Sequence, residues 1–164
     1  TWLQNAGLIH KVSLCQTPQI PLKSYEDLSV FKIYCLDIGL LRVLSELGPE
    51  AYLSDSPVFK EYKGALAENY ILQSLLANGI KCSRYWASGN KAEVELVVQQ
   101  GMEVIPIEVK SGTSVTGKSL TEYNKKYSPS KRVRFSMLNL KRDDTLLNIP
   151  LFLADRAKDL SNMM

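Results

Sequence analysis

The chain has 164 residues, 45% hydrophobic and 23% charged, with a net charge of +3, the balance of one globular domain or one domain with a small appendage. Its apolar runs are only a few residues long and no basic-then-apolar leader opens it, which excludes a membrane-crossing helix and a visible secretory signal. Three widely spaced cysteines (Cys15, Cys35, Cys82) and a lone histidine, His10, exclude a disulfide framework and a structural zinc site, and predict a reducing cytoplasm.

Residues 1–50 and 51–164 read as two parts. Thr1 to Asn5 looks like the end of a helix, with Gly7 as its C-cap. A chain that opens on Thr1 in mid-helix is expected to be a piece of a longer protein. Two β-like runs, Leu8–Leu14 and Val30–Leu36, flank a polar, proline-containing loop from Gln16 to Asp27. Helix end, strand, loop and strand resemble the last part of a winged helix. Asp37 is placed as the N-cap of a short helix, and a linker from Gly48 to Pro57 follows.

The second part has clearer periodicity. Leu66, Tyr70, Ile71 and Leu75 recur at helical spacing over Tyr62–Ala77, and Asn78-Gly79 stops the helix. Ile80–Ala87 leads through Ser88-Gly89-Asn90 to Ala92–Val98, and that leads through Gln100-Gly101 to Glu103–Lys110, three predicted strands. Lys118–Tyr127 reads as a helix, Arg132–Leu138 as a strand and Leu151–Ala154 as an edge strand. The helical crossover predicts that the strands on either side of it run parallel. The fold class is therefore α/β: a mixed sheet of four or five strands with helices on both sides, preceded by the winged-helix remnant.

Charge is unevenly spread. From Lys110 to Arg142 nine basic residues face one acid, Glu122, so this stretch carries +8 of a total of +3 and the rest carries −5. Lys118, Lys125, Lys126, Lys131 and Arg132 are the candidate nucleic-acid contacts. A plain solvated helix and strand edge gives the same pattern.

Alternation along the strands gathers carboxylates. Val94, Leu96 and Val98 make one face of their strand, which turns Glu93 and Glu95 the other way. Ile105, Ile107 and Val109 do the same for Glu108 and Lys110. A tight turn at Gln100-Gly101 pairs odd positions with even ones, which brings Glu93 and Glu95 beside Glu108 and Lys110. Opposed like charges cost a sheet up to about 1 kcal/mol, so three carboxylates on one face call for a reason. Mg²⁺ or Mn²⁺ supplies one, with Lys110 holding a phosphate or orienting water. On this reading the carboxylates face solvent, and removing one costs little stability. A solvated hairpin face with a Glu–Lys pair is the plainer alternative.

Glu68 on a helix, Glu95 in a hairpin and Ile107-Glu108-Val109-Lys110 together match the E…D…E-x-K order of PD-(D/E)XK nucleases. More closely, the chain resembles the C-terminal module of unknown function found in bacterial and archaeal AAA-type ATPases. The matching pieces are Lys32-Ile33-Tyr34-Cys35-Leu36-Asp37-Ile38-Gly39-Leu40-Leu41, Gly64-Ala65-Leu66-Ala67-Glu68-Asn69, Tyr85-Trp86, Glu93-Val94-Glu95-Leu96 and Ile107-Glu108-Val109-Lys110-Ser111-Gly112. The resemblance implies a restriction-endonuclease-like core, with Glu68, Glu95 and Glu108 as metal ligands and Glu108 and Lys110 as catalytic residues. It also implies an ATPase core and winged helix upstream, so ATP would be bound only there. Nucleic acid, the upstream domain and further copies of the protein are the implied partners. The family usually carries Asp where this chain has Glu95. The longer side chain loosens an octahedral Mg²⁺ site, which leaves open a non-catalytic interaction or regulatory module of the parent ATPase.

A rival signal is Gly112 to Ser119, which satisfies G-x-x-x-x-G-K-[ST] between a strand and a helix and suggests a nucleotide-binding phosphate loop. Only 45 residues follow Ser119, too few for a nucleotide-hydrolysing sheet, and no apolar strand ending in Asp comes after it. Coincidence is the preferred reading, with an open connection expected there. Tyr85 and Trp86, and the Tyr123/Tyr127 pair, are assigned to packing rather than base stacking.

Overall fold

The computed structural model describes residues 2–157 except Asp55 and Asn90. Thr1, the linker residue Asp55, the turn residue Asn90 and the stretch 158–164 lie outside the described residues. Helix α1 (Trp2–Asn5) ends at Gly7 with φ +73°, and the Leu8 N–H reaches back to the Leu3 carbonyl at 3.0 Å. The left-handed residue turns the chain into the first strand, as glycine permits. Strands β1 (Ile9–Cys15) and β2 (Glu26–Cys35) pair antiparallel with Ile9 opposite Cys35. Asp37 Oδ1 accepts the Leu40 N–H at 2.7 Å and caps helix α2 (Ile38–Leu44) as expected. A short helix α3 (Glu50–Leu53) precedes the long helix α4 (Lys60–Ala77).

The remaining elements are β3 (Arg84–Ala87), β4 (Glu93–Val94), β5 (Leu96–Gln100), β6 (Glu103–Val109), α5 (Lys118–Tyr127), β7 (Arg132–Ser136), β8 (Lys141–Asp143) and β9 (Leu146–Pro150). They complete a mixed α/β architecture with two mixed sheets, of order β2-β1-β3-β4 and β5-β6-β7-β9-β8. Helix α5 crosses between β6 and β7, which are parallel, as the crossover predicted. Helix α4 packs Ile71, Leu72 and Leu75 with Leu96, Ile107, Val133, Phe135 and Ile149. Helix α5 packs Leu120 and Tyr123 with Trp86, Val94 and Val97.

Two expectations change. One sheet becomes two because the strand read over Ala92–Val98 breaks at Glu95. An unbroken strand would turn Val94 and Leu96 to the same face. Instead Val94 joins the α5-side cluster and Leu96 the α4-side cluster. Leu151–Ala154 is not an edge strand: Leu151–Arg156 is a 3₁₀ helix, with Ala154 and Ala157 buried three residues apart, the 3₁₀ period. The edge strand there is β8, paired antiparallel with β9, whose Leu147 and Ile149 are buried in parallel register beside β7. Strands from both sides of residue 50 meet in one sheet, since β1 pairs parallel with β3 at Ser13↔Arg84 and Leu14↔Tyr85. Val12, Leu14 and Tyr34 share one core cluster with Ile71 and Ile107.

Candidate functional site at the junction of the two sheets

The break at Glu95 builds the site. Pairing of β5 with β6 ends at Leu96↔Ile107, so the next inward-pointing N–H on that edge, Val109, lies beyond the last strand carbonyl. Glu95 Oε2 accepts that N–H at 3.1 Å, replacing a ladder bond with a charge-assisted one. Glu95 therefore stays beside Glu108, the position that continued pairing would have given it. Lys110, one residue past β6, holds its Nζ 3.5 Å from Glu95 Oε1 and 3.6 Å from Glu108 Oε1. Of the residues expected to share this surface, Glu95, Glu108 and Lys110 converge, while Glu93 pairs with Lys32.

Neither carboxylate faces solvent, contrary to the sequence expectation. Glu108 is fully buried, because β7 covers it and brings Arg134 alongside in the register Glu108↔Arg134. Arg134 Nε donates to Glu108 Oε2 at 2.7 Å. Glu108 Oε1 has no hydrogen bond at all. Burial pushes the Glu95 carboxyl up to about 7; Lys110 pulls it down and Glu68 pushes it further up.

Glu68 comes from helix α4. Asn69 brackets the backbone of Cys35, accepting its N–H at 2.8 Å and donating to its carbonyl at 3.1 Å, which fixes α4 against β2. Glu68 Oε2 then accepts the Tyr34 hydroxyl at 2.9 Å. Burial and then Glu68 raise the Tyr34 phenol far above its ordinary range. Lys32, on the same face of β2, pairs with Glu93. Burial disfavours its charge, yet Glu93, Glu68 and Glu95 together hold its pKa above the ordinary lysine value.

Arg134, Lys32 and Tyr34 carry much of this geometry without having been singled out for a role. Arg134 had a signal, since Val133 and Phe135 alternate with it on their strand, but only the parallel register brings it to Glu108. Lys32 and Tyr34 lie two apart on a strand, yet nothing local ties that strand to the carboxylates.

A divalent-metal centre of Glu68, Glu95 and Glu108 fits this arrangement poorly. Among the described residues no group of three His, Cys, Asp or Glu is arranged to hold a metal ion. Glu68 is turned to Tyr34, and the Lys110 ammonium sits between the other two acids.

The basic candidates spread along α5 and the start of β7. Lys118, Lys125 and Lys126 are exposed on α5. Lys125 pairs with Glu122 at 2.8 Å and Lys131 with Glu103 at 3.2 Å, while Arg132 Nε donates to Thr145 Oγ1 at 2.9 Å. The segment 111–117 carries neither helix nor strand. A Cβ on Gly117, which has φ +55°, would meet an Arg134 guanidinium nitrogen at 2.5 Å. The left-handed backbone and that close approach together favour glycine. Beyond it a cavity of about 460 Å³ is lined by Val115, Arg134, Lys141 and Asn148, among others. A more apolar opening of about 380 Å³ under Leu75, Ile107, Phe135 and Ile149 involves, of the candidates, only Lys131. The aromatic residues pack as expected: Trp86 is fully buried with ring centroids 5.1 Å from Tyr123 and 5.9 Å from Tyr127. No described helix is long and apolar enough to cross a membrane.

Residues 63–152 match the family described as Domain of unknown function (DUF4143). The match spans more than half of the chain, which belongs to that family. No curated protein and no solved structure shows significant similarity to it. Glu68, Glu95, Glu108, Lys110 and Arg134 lie within the matched stretch, whereas Lys32 and Tyr34 precede it.

Proposed function

We propose that this chain is a nuclease-like module of a AAA-type ATPase that binds nucleic acid across α5 and the start of β7. Its restriction-endonuclease-like carboxylate–lysine site would be internally neutralised and catalytically degenerate, and ATP would be bound by the upstream domain. One observation carries the reading. Glu95, Glu108 and Lys110 meet at one point, yet Lys110 and Arg134 already compensate both acids. The exposed lysines of α5 supply the phosphate-facing charge. If an Mg²⁺- or Mn²⁺-dependent phosphodiesterase survives, Glu108 and Lys110 are the residues it needs.

The test is fluorescence anisotropy of a labelled duplex over a salt series, beside a cleavage assay in Mn²⁺. Binding should weaken by about 0.9 log units per log unit of salt for each phosphate contacted. The Lys118→Ala/Lys126→Ala double variant should flatten that slope. Salt-independent or absent binding sinks the nucleic-acid reading. Cleavage lost in Lys110→Ala would replace degeneracy with activity.

A second reading, a protein-interaction module of the parent ATPase, is favoured by the first sheet. Edge strand β2 exposes Leu28, Val30, Phe31 and Ile33, and α2 exposes Val43 and Leu44. Apolar surface on an unpaired edge is where partner chains add. The phosphate-loop reading rests on its sequence pattern, with the Arg134 guanidinium lying close to Gly117 at the end of that loop.

A further inference from the structure

We propose that the cavity between the end of α4 and the β5–β6 hairpin is a binding site for a single-chain amphiphile with an anionic head, of the medium-chain carboxylate class. The inference is independent of the nucleic-acid reading and of the carboxylate–lysine pocket.

The cavity follows from how the two elements end. Helix α4 closes on Gly79, whose φ of +77° is left-handed. The Gly79 N–H reaches the Leu76 carbonyl at 2.9 Å and the Ile80 N–H reaches the Leu75 carbonyl at 3.0 Å. That pair of bonds ends a helix and brings its flanking apolar side chains together, and Leu75 and Ile80 both form the cavity wall. On the hairpin, Val98 pairs with Ile105, and both join the core cluster on the α4 side. About 380 Å³ remains between helix end and hairpin, within the range of about 300–1,000 Å³ for small-ligand pockets. Ile107, Phe135 and Ile149, all buried, line its interior, and cavities lined this way take apolar guests. The rim sets the guest's other end. Among the described residues the lining includes Lys81 and Lys131 but no Asp or Glu. Lys81 is exposed. Lys131 is half-buried and reaches Glu103 at 3.2 Å, an acid that also accepts the Ser130 hydroxyl at 2.7 Å. The Gln99 amide is already committed, accepting the Leu22 N–H at 3.0 Å and donating to the Gly101 carbonyl at 3.1 Å. An apolar interior under a rim of one charge sign matches a carboxylate carried on a hydrocarbon chain and selects against a cationic head.

The experiment titrates decanoate, decylammonium or decanol, each below its aggregation or solubility limit, into the whole chain, followed by methyl NMR. Decanoate should saturate, show NOEs from its chain to the Leu75, Ile107 and Ile149 methyls, and bind at least fivefold tighter than decylammonium. Val98→Phe enlarges a wall residue and should weaken decanoate at least tenfold. Lys81→Ala/Lys131→Ala should weaken decanoate at least fivefold while changing decanol less than twofold, since decanol lacks the charge. The same spectra establish which variants remain folded, and should Val98→Phe unfold, the lysine pair decides. Binding that does not saturate, equal affinity for the two charged heads, or a folded variant that binds decanoate as wild type does overturns the proposal. NOEs to those three methyls from Leu160, Met163 or Met164 in place of decanoate also overturn it, by making residues 158–164 the occupant. Loss of duplex binding in the salt series leaves this inference standing, just as its failure leaves that reading standing.

Discussion

Arg134 and Glu108 stand opposite each other on parallel strands and close a 2.7 Å contact between Nε and Oε2. Glu108 is fully buried and Arg134 nearly so, so each charge depends on the other. Breaking one side of a buried pair costs about 3–5 kcal/mol. Arg134→Met should lower the urea unfolding free energy by that order, and Glu108→Gln by less, because the amide still offers Arg134 an oxygen. A loss under 1 kcal/mol in Arg134→Met would mean that Glu108 is charge-balanced by Lys110 alone.

Glu95 ties stability to pH. Its carboxyl titrates at about 7 in the folded chain against an ordinary value of 4.5. A raised acid binds its proton more tightly when folded, so its contribution is greatest below 4.5 and falls as pH rises through 7. At 1.36 kcal/mol per unit the full loss is at most about 3 kcal/mol. Glu95→Gln removes this term. The melting temperature of Glu95→Gln relative to wild type should therefore climb from pH 5 to pH 8 and level off. A constant difference across that range contradicts a raised Glu95.

Asp37 holds the start of α2 by accepting the Leu40 N–H at 2.7 Å. Asp37→Ala should cost about 1 kcal/mol by chemical denaturation. Asp37→Asn, which keeps an acceptor, should recover most of it. Equal losses in the two variants would assign the effect to charge rather than capping.

The Tyr127 hydroxyl accepts the Trp86 indole N–H at 3.2 Å and donates to the Gln16 carbonyl at 3.0 Å. It thereby ties α5 to β3 and to the loop after β1. Tyr127→Phe leaves the buried Trp86 donor without its acceptor, a cost of about 1–3 kcal/mol. The tryptophan emission should shift on this substitution, since the other tryptophan, Trp2, is exposed far along the chain. An unchanged spectrum and midpoint would show that water replaces the hydroxyl.

Much of the architecture was legible because it is local. The caps at Gly7 and Asp37, the helices over 60–77 and 118–127, and the parallel pairing across α5 follow from backbone conformation, periodicity and connection length. Adjacency of Glu95 to Glu108 was legible too, because a tight turn after Gln100 fixes the register of the hairpin.

Other features depended on which core each residue joins. Alternation reads Val94, Glu95 and Leu96 as one strand, since nothing within it says that Val94 belongs under α5 and Leu96 against α4. Leu151-Phe152-Leu153 is apolar enough for a strand, and only the burial of Ala154 and Ala157 reveals the 3₁₀ period.

The sequence by itself determined the elements, the gathering of Glu95, Glu108 and Lys110 on one hairpin, and the basic character of α5. These rest on interactions within a few residues or across one tight turn. Only the tertiary structure decided that the carboxylates are buried rather than solvent-facing. It brought Arg134 to Glu108 by parallel pairing, and Tyr34 to Glu68 by the docking of α4 on β2. The Arg134 guanidinium that pairs with the buried Glu108 comes from a strand remote in sequence. Charge compensation in a folded core is therefore a property of register and packing, which no local pattern carries.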